Sequence, residues 1–428
     1  METPSWGLLG PEELASHRRT RTLGLGAVVR SFNDRAVPGL GGVWFARQLF
    51  LATLGVAVAQ KVQRQGKRVR NIQVANAIEA LACWLAYEEN NWETDPRLRG
   101  RTKLRYKSDL SFAAVRRPSF YVTQPMRRAT VQALPAFGLV ETDGPRFNSF
   151  RLGLAQEDTD EERSSGMIFI NAVCADCTPH KSTVLVVLAK WILGDDKNIA
   201  TFEMREALSP LRIMSKSARD LLVGRLAMDP RRDNARHWVE RIRNQSDRQI
   251  NLDEKPAGLD EEHWSDLCAG TRFFAARAAA FDVLNKIEEH IASHSGKSMP
   301  VKQTKPVKEE LVALRKHSSI FLASGYTVEP EATRFCEECA DPSDGNVLRL
   351  AVARDGRVLR LNGDEIELAP SFRGQKPGED NSQHNTEDQG TEEEAALPLP
   401  FPEHMSPRVS NLYYLNLDLR GELSKALK

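Results

Sequence analysis

Cysteine is scarce in this chain: six in 428 residues, which excludes a small secreted scaffold stapled by disulfides. Long hydrophobic runs are missing as well. The longest, Leu49 to Ala59, lies between Arg47 and Lys61 and falls far short of the about 20 apolar residues that a membrane helix needs. It reads as a buried helix. Trp6, Leu8 and Leu9 are followed by Glu12 and Glu13, not by the apolar stretch of a secretory leader. These absences lead to the expectation of a cytoplasmic protein with no membrane partner.

Enzyme signatures are absent too. The chain holds no GxxxxGK[ST], HExxH or GxSxG, and its nine histidines are scattered. Gly296-Lys297-Ser298 resembles the end of a phosphate loop, but Ile291 stands where the first glycine belongs. Gly39, Gly41 and Gly42 have neither the Lys-Ser/Thr nor the strand that a nucleotide cradle requires, so they read as a turn before a buried helix. Asp195-Asp196 and Asp253-Glu254-Lys255 keep a metal-dependent nuclease open as the enzymatic alternative. The leading expectation is non-catalytic.

Net charge is also nearly absent, at +1, but this balance hides an asymmetry. Residues 1–155 carry 23 Lys/Arg against 12 Asp/Glu, and the remainder carries 36 against 46. A basic first third with an acidic remainder points to a polyanionic partner for one part of the molecule. Within that third, Arg97, Arg99, Arg101, Lys103, Arg105, Lys107, Arg116 and Arg117 are opposed only by Glu93, Asp95 and Asp109. Their near-alternation from Arg97 to Lys107 would set one row of charge along an extended chain, as in an arm that tracks phosphates. A solvated loop is the alternative.

Periodicity gives the helices. Trp44 to Gln60 is apolar nearly all round, and Val74, Ile78, Leu81 and Leu85 recur at helical spacing. Further helices are expected at 182–193, 201–208, 215–227 and 230–243, with Thr201 and Ser215 in N-cap-like positions. A long one spans about Asp260 to His294. Lys297 to Lys308 reads as a basic linker. Val347 to Leu368 reads as an antiparallel meander turning at Asp355-Gly356 and Asn362-Gly363. Residues 374–404, dense in acids, Gln, Asn and Pro, lack any apolar period and read as a disordered acidic linker. The tail 405–428 fits helix or strand, docking on its own chain or on a partner.

The segment from Tyr121 to Leu152 is the most informative. Thr123 or Gln124 caps a helix that Pro125 opens and that Pro135 and Gly138 end; Leu139-Val140-Glu141 starts a strand, Asp143-Gly144 turns, and Arg146 to Leu152 returns. Over roughly residues 71–153 this pattern resembles a winged helix-turn-helix domain of bacterial regulators. The resemblance implies a recognition helix in the major groove and a wing on the adjacent backbone. Arg127, Arg128 and Gln132 would then read bases, and Arg146 and Arg151 would neutralise phosphates. Pro135 departs from the pattern by ending the helix early. The basic run 203–243 raises a second helical DNA-binding unit, with solvated helix faces as the alternative.

Two CxxC pairs, Cys174/Cys177 and Cys336/Cys339, hold the thiolates for one zinc ion, although 162 positions separate the pairs. A redox pair or plain unligated thiols are the other readings, and otherwise no cofactor is expected. The expected fold class is mainly α with small β units (α+β): a winged helix-like basic domain at 1–155, a helical domain at 165–297, a small α+β unit at 309–372, then linker and tail. The expected function is a DNA-binding or scaffold subunit of a bacterial multi-protein DNA-transaction system, such as antiviral defence, restriction or mobile-element maintenance. It would act with protein partners or as a homo-oligomer. A stand-alone transcription regulator is the alternative within the DNA-binding class.

Overall fold

Helix Ala46–Arg64 is apolar on every side, and every residue from Ala46 to Ala59 is buried, so other elements must surround it. In the computed structural model, which describes residues 21–153, 164–175, 177–195, 199–243, 250–293, 298–369 and 401–427, that cover comes from helices Asn71–Glu89, Ser165–Val173 and Val184–Leu193 and the 3-10 turn Met126–Thr130. The closest approach is to Asn71–Glu89. A Cβ on Gly55 would lie 2.5 Å from that of Ala75, so only glycine lets the two backbones meet.

This packing moves the domain division away from the expected 1–155 and 165–297. The chain forms two units: Asn33–His263 with Gly390–Phe401 and Pro407–Lys428, and Met1–Phe32 with Trp264–Gln389 and Pro402–Ser406. A helix that needs cover all round cannot be completed by residues 1–155 alone, and it recruits the helices that follow. Among the described residues the fold is mainly helical, with two small antiparallel sheets. No described helix is long and apolar enough to cross a membrane.

In the larger unit the expected helices form at Phe202–Leu208, Lys216–Leu226 and Pro230–Arg243, and the Thr201 and Ser215 hydroxyls accept the backbone N–H of Met204 and Ala218. The C-terminal tail is helix Pro407–Arg420, packed on its own unit against Pro230–Arg243 and Lys216–Leu226. Its Asp418 carboxylate accepts the N–H of Ala46 at 2.8 Å and so caps the central helix. Ahead of that helix in the chain, Gly26–Ala36 is also helical.

The smaller unit is built on the part of helix Glu261–Ser293 from Trp264 onward. Phe273 is fully buried among Phe32, Phe321 and Phe335, with ring centroids 5.2 to 6.1 Å apart. Helices Lys308–Ala323, Pro330–Ala340 and Asp344–Asp355 complete this core. Its sheet runs in the order Ser298–Pro300, Glu365–Leu368, Leu359–Asn362, with Met299 and Leu361 both opposite Ile366.

Two expectations change here. The supposed linker 297–308 supplies an edge strand, because Met299 and Val301 are apolar and bury. The supposed first strand of the meander is the end of a helix. Val347, Leu348, Ala351 and Val352 bury at helical spacing, and Gly356 (φ +56°) closes the helix instead of turning a hairpin. The Asn362-Gly363 hairpin stands as expected, with Gly363 at φ +61°. The expected disordered linker 374–404 lies, up to residue 400, outside the described residues.

Candidate nucleic-acid interface

The segment expected to read DNA is organised by a carboxylate inside the protein. Helix Asn71–Glu89 carries Glu79 on its buried side, 2% exposed. Its carboxylate accepts the Tyr121 hydroxyl at 2.9 Å and the backbone N–H groups of Met126 and Arg127 at 2.7 and 2.9 Å. Burial raises its pKa above the usual carboxylate range, against the pull of these donors. The Tyr121 oxygen also lies 3.3 Å from the Cys83 sulfur, and burial pushes that thiol up to about 12.

Held in this way, the expected helix 125–134 is divided. Met126–Thr130 is a 3-10 turn and Ala133–Ala136 a separate single turn of helix. The break has a hydrogen-bonding cause: the Ala129 carbonyl accepts the N–H of Gly42 at 3.0 Å, not the amide four residues ahead. Arg127 does not stand on an outer face. It is 7% exposed, its Nε donates to Asn76 at 2.7 Å, its guanidinium covers the Phe147 ring at 4.9 Å, and burial pulls its pKa down to about 10. Arg128 is half-buried, and Gln132 is exposed with its carbonyl accepting from Arg408. The hairpin forms as two-residue strands, Glu141–Thr142 and Phe150–Arg151. Phe147 and Phe150 face inward, Arg146 is exposed, and Arg151 pairs with Asp143 at 2.9 Å.

The arm is not an extended row either. Arg97 is 7% exposed, gripped by both oxygens of Asp95 at 3.0 and 2.8 Å and bonded to Ser424. Arg99 is half-buried, and burial lowers its pKa. Gly100 then takes a left-handed turn (φ +77°), where a Cβ would lie 2.9 Å from the Tyr121 ring, and Arg101–Leu104 makes one helical turn that buries Leu104. The period of two is lost at that point.

Beyond Gly100 the cations face outward. Arg101, Lys103, Arg105, Arg116 and Arg117 are exposed and Lys107 is half-buried, and among the described residues none of them forms an ion pair. Arg101 and Lys103 donate only to the carbonyls of Trp92 and Tyr121, and Lys107 lies over the Phe120 ring at 5.5 Å. Lys67 from the basic connection before helix Asn71–Glu89 joins Arg116 on the wall of a cleft of about 580 Å³. Phe112 and Trp191 make its apolar wall, edge to face at 5.4 Å, with the Trp191 N–H donating to the Leu110 carbonyl.

The second basic run behaves in the opposite way. Arg205 pairs with Glu88, Arg212 with Glu89 and Glu206, Arg231 with Glu262, Arg236 with Asp233, and Arg243 with Glu240 and Glu422. Arg232, 2% exposed, donates to four backbone carbonyls and covers the Phe137 ring at 4.6 Å. This run braces the larger unit.

The expected zinc set of Cys174, Cys177, Cys336 and Cys339 does not form. Among the described residues no group of three or more His, Cys, Asp or Glu side chains is arranged to hold a metal ion. The two pairs belong to different units, Cys174 and Cys177 to the larger and Cys336 and Cys339 to the smaller. Cys174 and Cys177 are half-buried and close a turn after helix Ser165–Val173, the Cys177 N–H donating to the Cys174 carbonyl at 2.9 Å. Neither forms a disulfide, and burial pushes the Cys174 thiol up to about 12. Cys336 and Cys339 are buried core residues of helix Pro330–Ala340, where burial raises both thiols, Cys339 to about 12. Thiols raised in this way resist forming the thiolates that bind zinc.

Sequence reasoning passed over Glu79, although one acid inside the apolar run from Ile78 to Leu85 marks a buried anion that needs donors. It also passed over the cleft, which is assembled by residues far apart in the chain. No family model, curated protein or solved structure matches this chain.

Proposed function

We propose that the protein is a non-catalytic DNA-binding subunit whose contact surface is the segment from Arg101 to Arg117, together with Lys67. One observation carries this reading: six cations in seventeen residues face solvent or stand half-buried and, among the described residues, form no ion pair, whereas Arg205, Arg212, Arg236 and Arg243 of the same unit each pair with a carboxylate. Self-repulsion makes such a cluster unfavourable unless a polyanion neutralises it. Arg146, exposed at the hairpin, is a further phosphate contact under this reading. Arg97 and Arg127 are positioning residues that hold the segments on either side.

The winged helix-turn-helix likeness enters here only through the hairpin, because the stretch meant to enter the major groove is short and turned inward. A role in a multi-protein bacterial DNA-transaction system, such as defence or mobile-element maintenance, remains the setting we propose. The test is binding of the full chain to a labelled DNA duplex and a labelled single strand over a range of salt. Affinity that falls steeply as salt rises supports the reading, and affinity indifferent to salt contradicts it.

A further inference from the structure

The aromatic side chains around the basic segment specify the form of the nucleic acid. An exposed aromatic ring beside cations offers a face on which a base can stack. Tyr106 is 83% exposed, between the outward Arg105 and the half-buried Lys107. Phe202 is 71% exposed at the start of helix Phe202–Leu208. Both stand two residues from a wall of the same cleft: Tyr106 from Ser108, and Phe202 from Ala200. Lys67 and Arg116 give that cleft its positive side and Phe112 and Trp191 its apolar side. The acid on the wall, Asp109, accepts the N–H of Ser111 at 2.9 Å.

Exposed rings interleaved with unpaired cations, beside a cleft with both an apolar and a cationic wall, fit a strand whose bases are turned out. A duplex hides its base faces and offers only phosphates and groove edges. We infer that the protein engages an unpaired polynucleotide strand, with bases stacking on Tyr106 and Phe202 and phosphates lying against Lys67, Arg105 and Arg116. The inference rests on the DNA-binding reading above and adds the form of the ligand.

The experiment is fluorescence anisotropy on the full chain with three labelled probes of about 20 units: oligothymidylate, oligouridylate and a mixed-sequence duplex. The expected result is oligothymidylate bound at least about tenfold more tightly than duplex, with Tyr106→Ala and Phe202→Ala each weakening it by about tenfold and Tyr106→Phe keeping it. Duplex affinity should not change in any of these variants, and their melting temperatures should match the parent because both rings are exposed. Duplex bound as tightly as the single strand, or single-strand affinity indifferent to Tyr106→Ala, overturns the inference and leaves DNA binding standing. Tighter binding of oligouridylate supports the unpaired strand and replaces DNA with RNA. If no probe binds in a salt-dependent way, both readings fall.

Discussion

Arg101 to Arg117 and Arg205 to Arg243 are both rich in arginine and lysine, yet one segment faces solvent and the other faces its own protein. In the second, ion pairs reach Glu88, Glu89, Glu262 and Glu422, carboxylates supplied from outside the segment. In the first, Asp109 is held below the usual carboxylate range by Ser111 and, to a smaller extent, by Arg117, but among the described residues none of the six cations forms an ion pair. Arginine content alone therefore says nothing about a nucleic-acid surface. What matters is whether the fold brings acids to the arginines, and that depends on contacts between residues 31 to 179 positions apart.

This contrast can be broken most severely at the outward segment. Replacing Arg101, Lys103, Arg105, Lys107, Arg116 and Arg117 together with serine should weaken DNA binding by about a thousandfold or more near physiological salt, measured by anisotropy. The melting temperature should hold or rise, because like charges are relieved. A fall in stability with affinity unchanged would mean that these side chains brace the fold as the second segment does.

The next largest effect lies inside. Glu79→Ala leaves two backbone donors and the Tyr121 hydroxyl without an acceptor in a buried site, together with an uncompensated Arg127. Chemical denaturation should show a loss of about 3–5 kcal/mol. A loss below about 1 kcal/mol would show that the carboxylate does not anchor residues 121–130. Arg97→Ala, which frees the largely buried Asp95, should cost about 2 kcal/mol and leave the affinity of the folded protein for DNA unaltered. Arg212→Ala marks the small end: its guanidinium is 42% exposed, so water screens its pairs and the loss should stay within about 1 kcal/mol. A change in DNA affinity in either arginine variant would blur the distinction between the two segments.

Much of the helical framework was legible because it depends on local spacing and caps. The apolar run after Trp44, the Thr201 and Ser215 caps and the long helix from residue 261 all carry their own signals. The failures have a common cause. Asp355-Gly356 serves a helix end as well as a hairpin, and only the burial of Val347 and Ala351 on one helix face decides between them. Alternating charges from Arg97 to Lys107 promised an extended arm, but Asp95 holds the first cation inward and Gly100 reverses the chain. Helical periodicity puts Arg127 on a solvent face, but the stretch divides where the Gly42 N–H takes the Ala129 carbonyl, and Arg127 turns inward to Asn76 and the Phe147 ring. The basic character of the candidate surface was legible; which of its cations point outward was not.

The central claim is that only unpaired cations bind phosphate here, and the salt dependence of DNA affinity in two matched variants tests it most directly. One variant replaces the six cations between Arg101 and Arg117; the other replaces Arg205, Arg212, Arg231, Arg236 and Arg243, each of which pairs with a carboxylate. With eight phosphates contacted, Lys67 and Arg146 included, a plot of log affinity against log salt should have a slope of about −7 in the parent, about −2 in the first variant and unchanged in the second. A slope kept by the first variant and lost by the second would contradict the account.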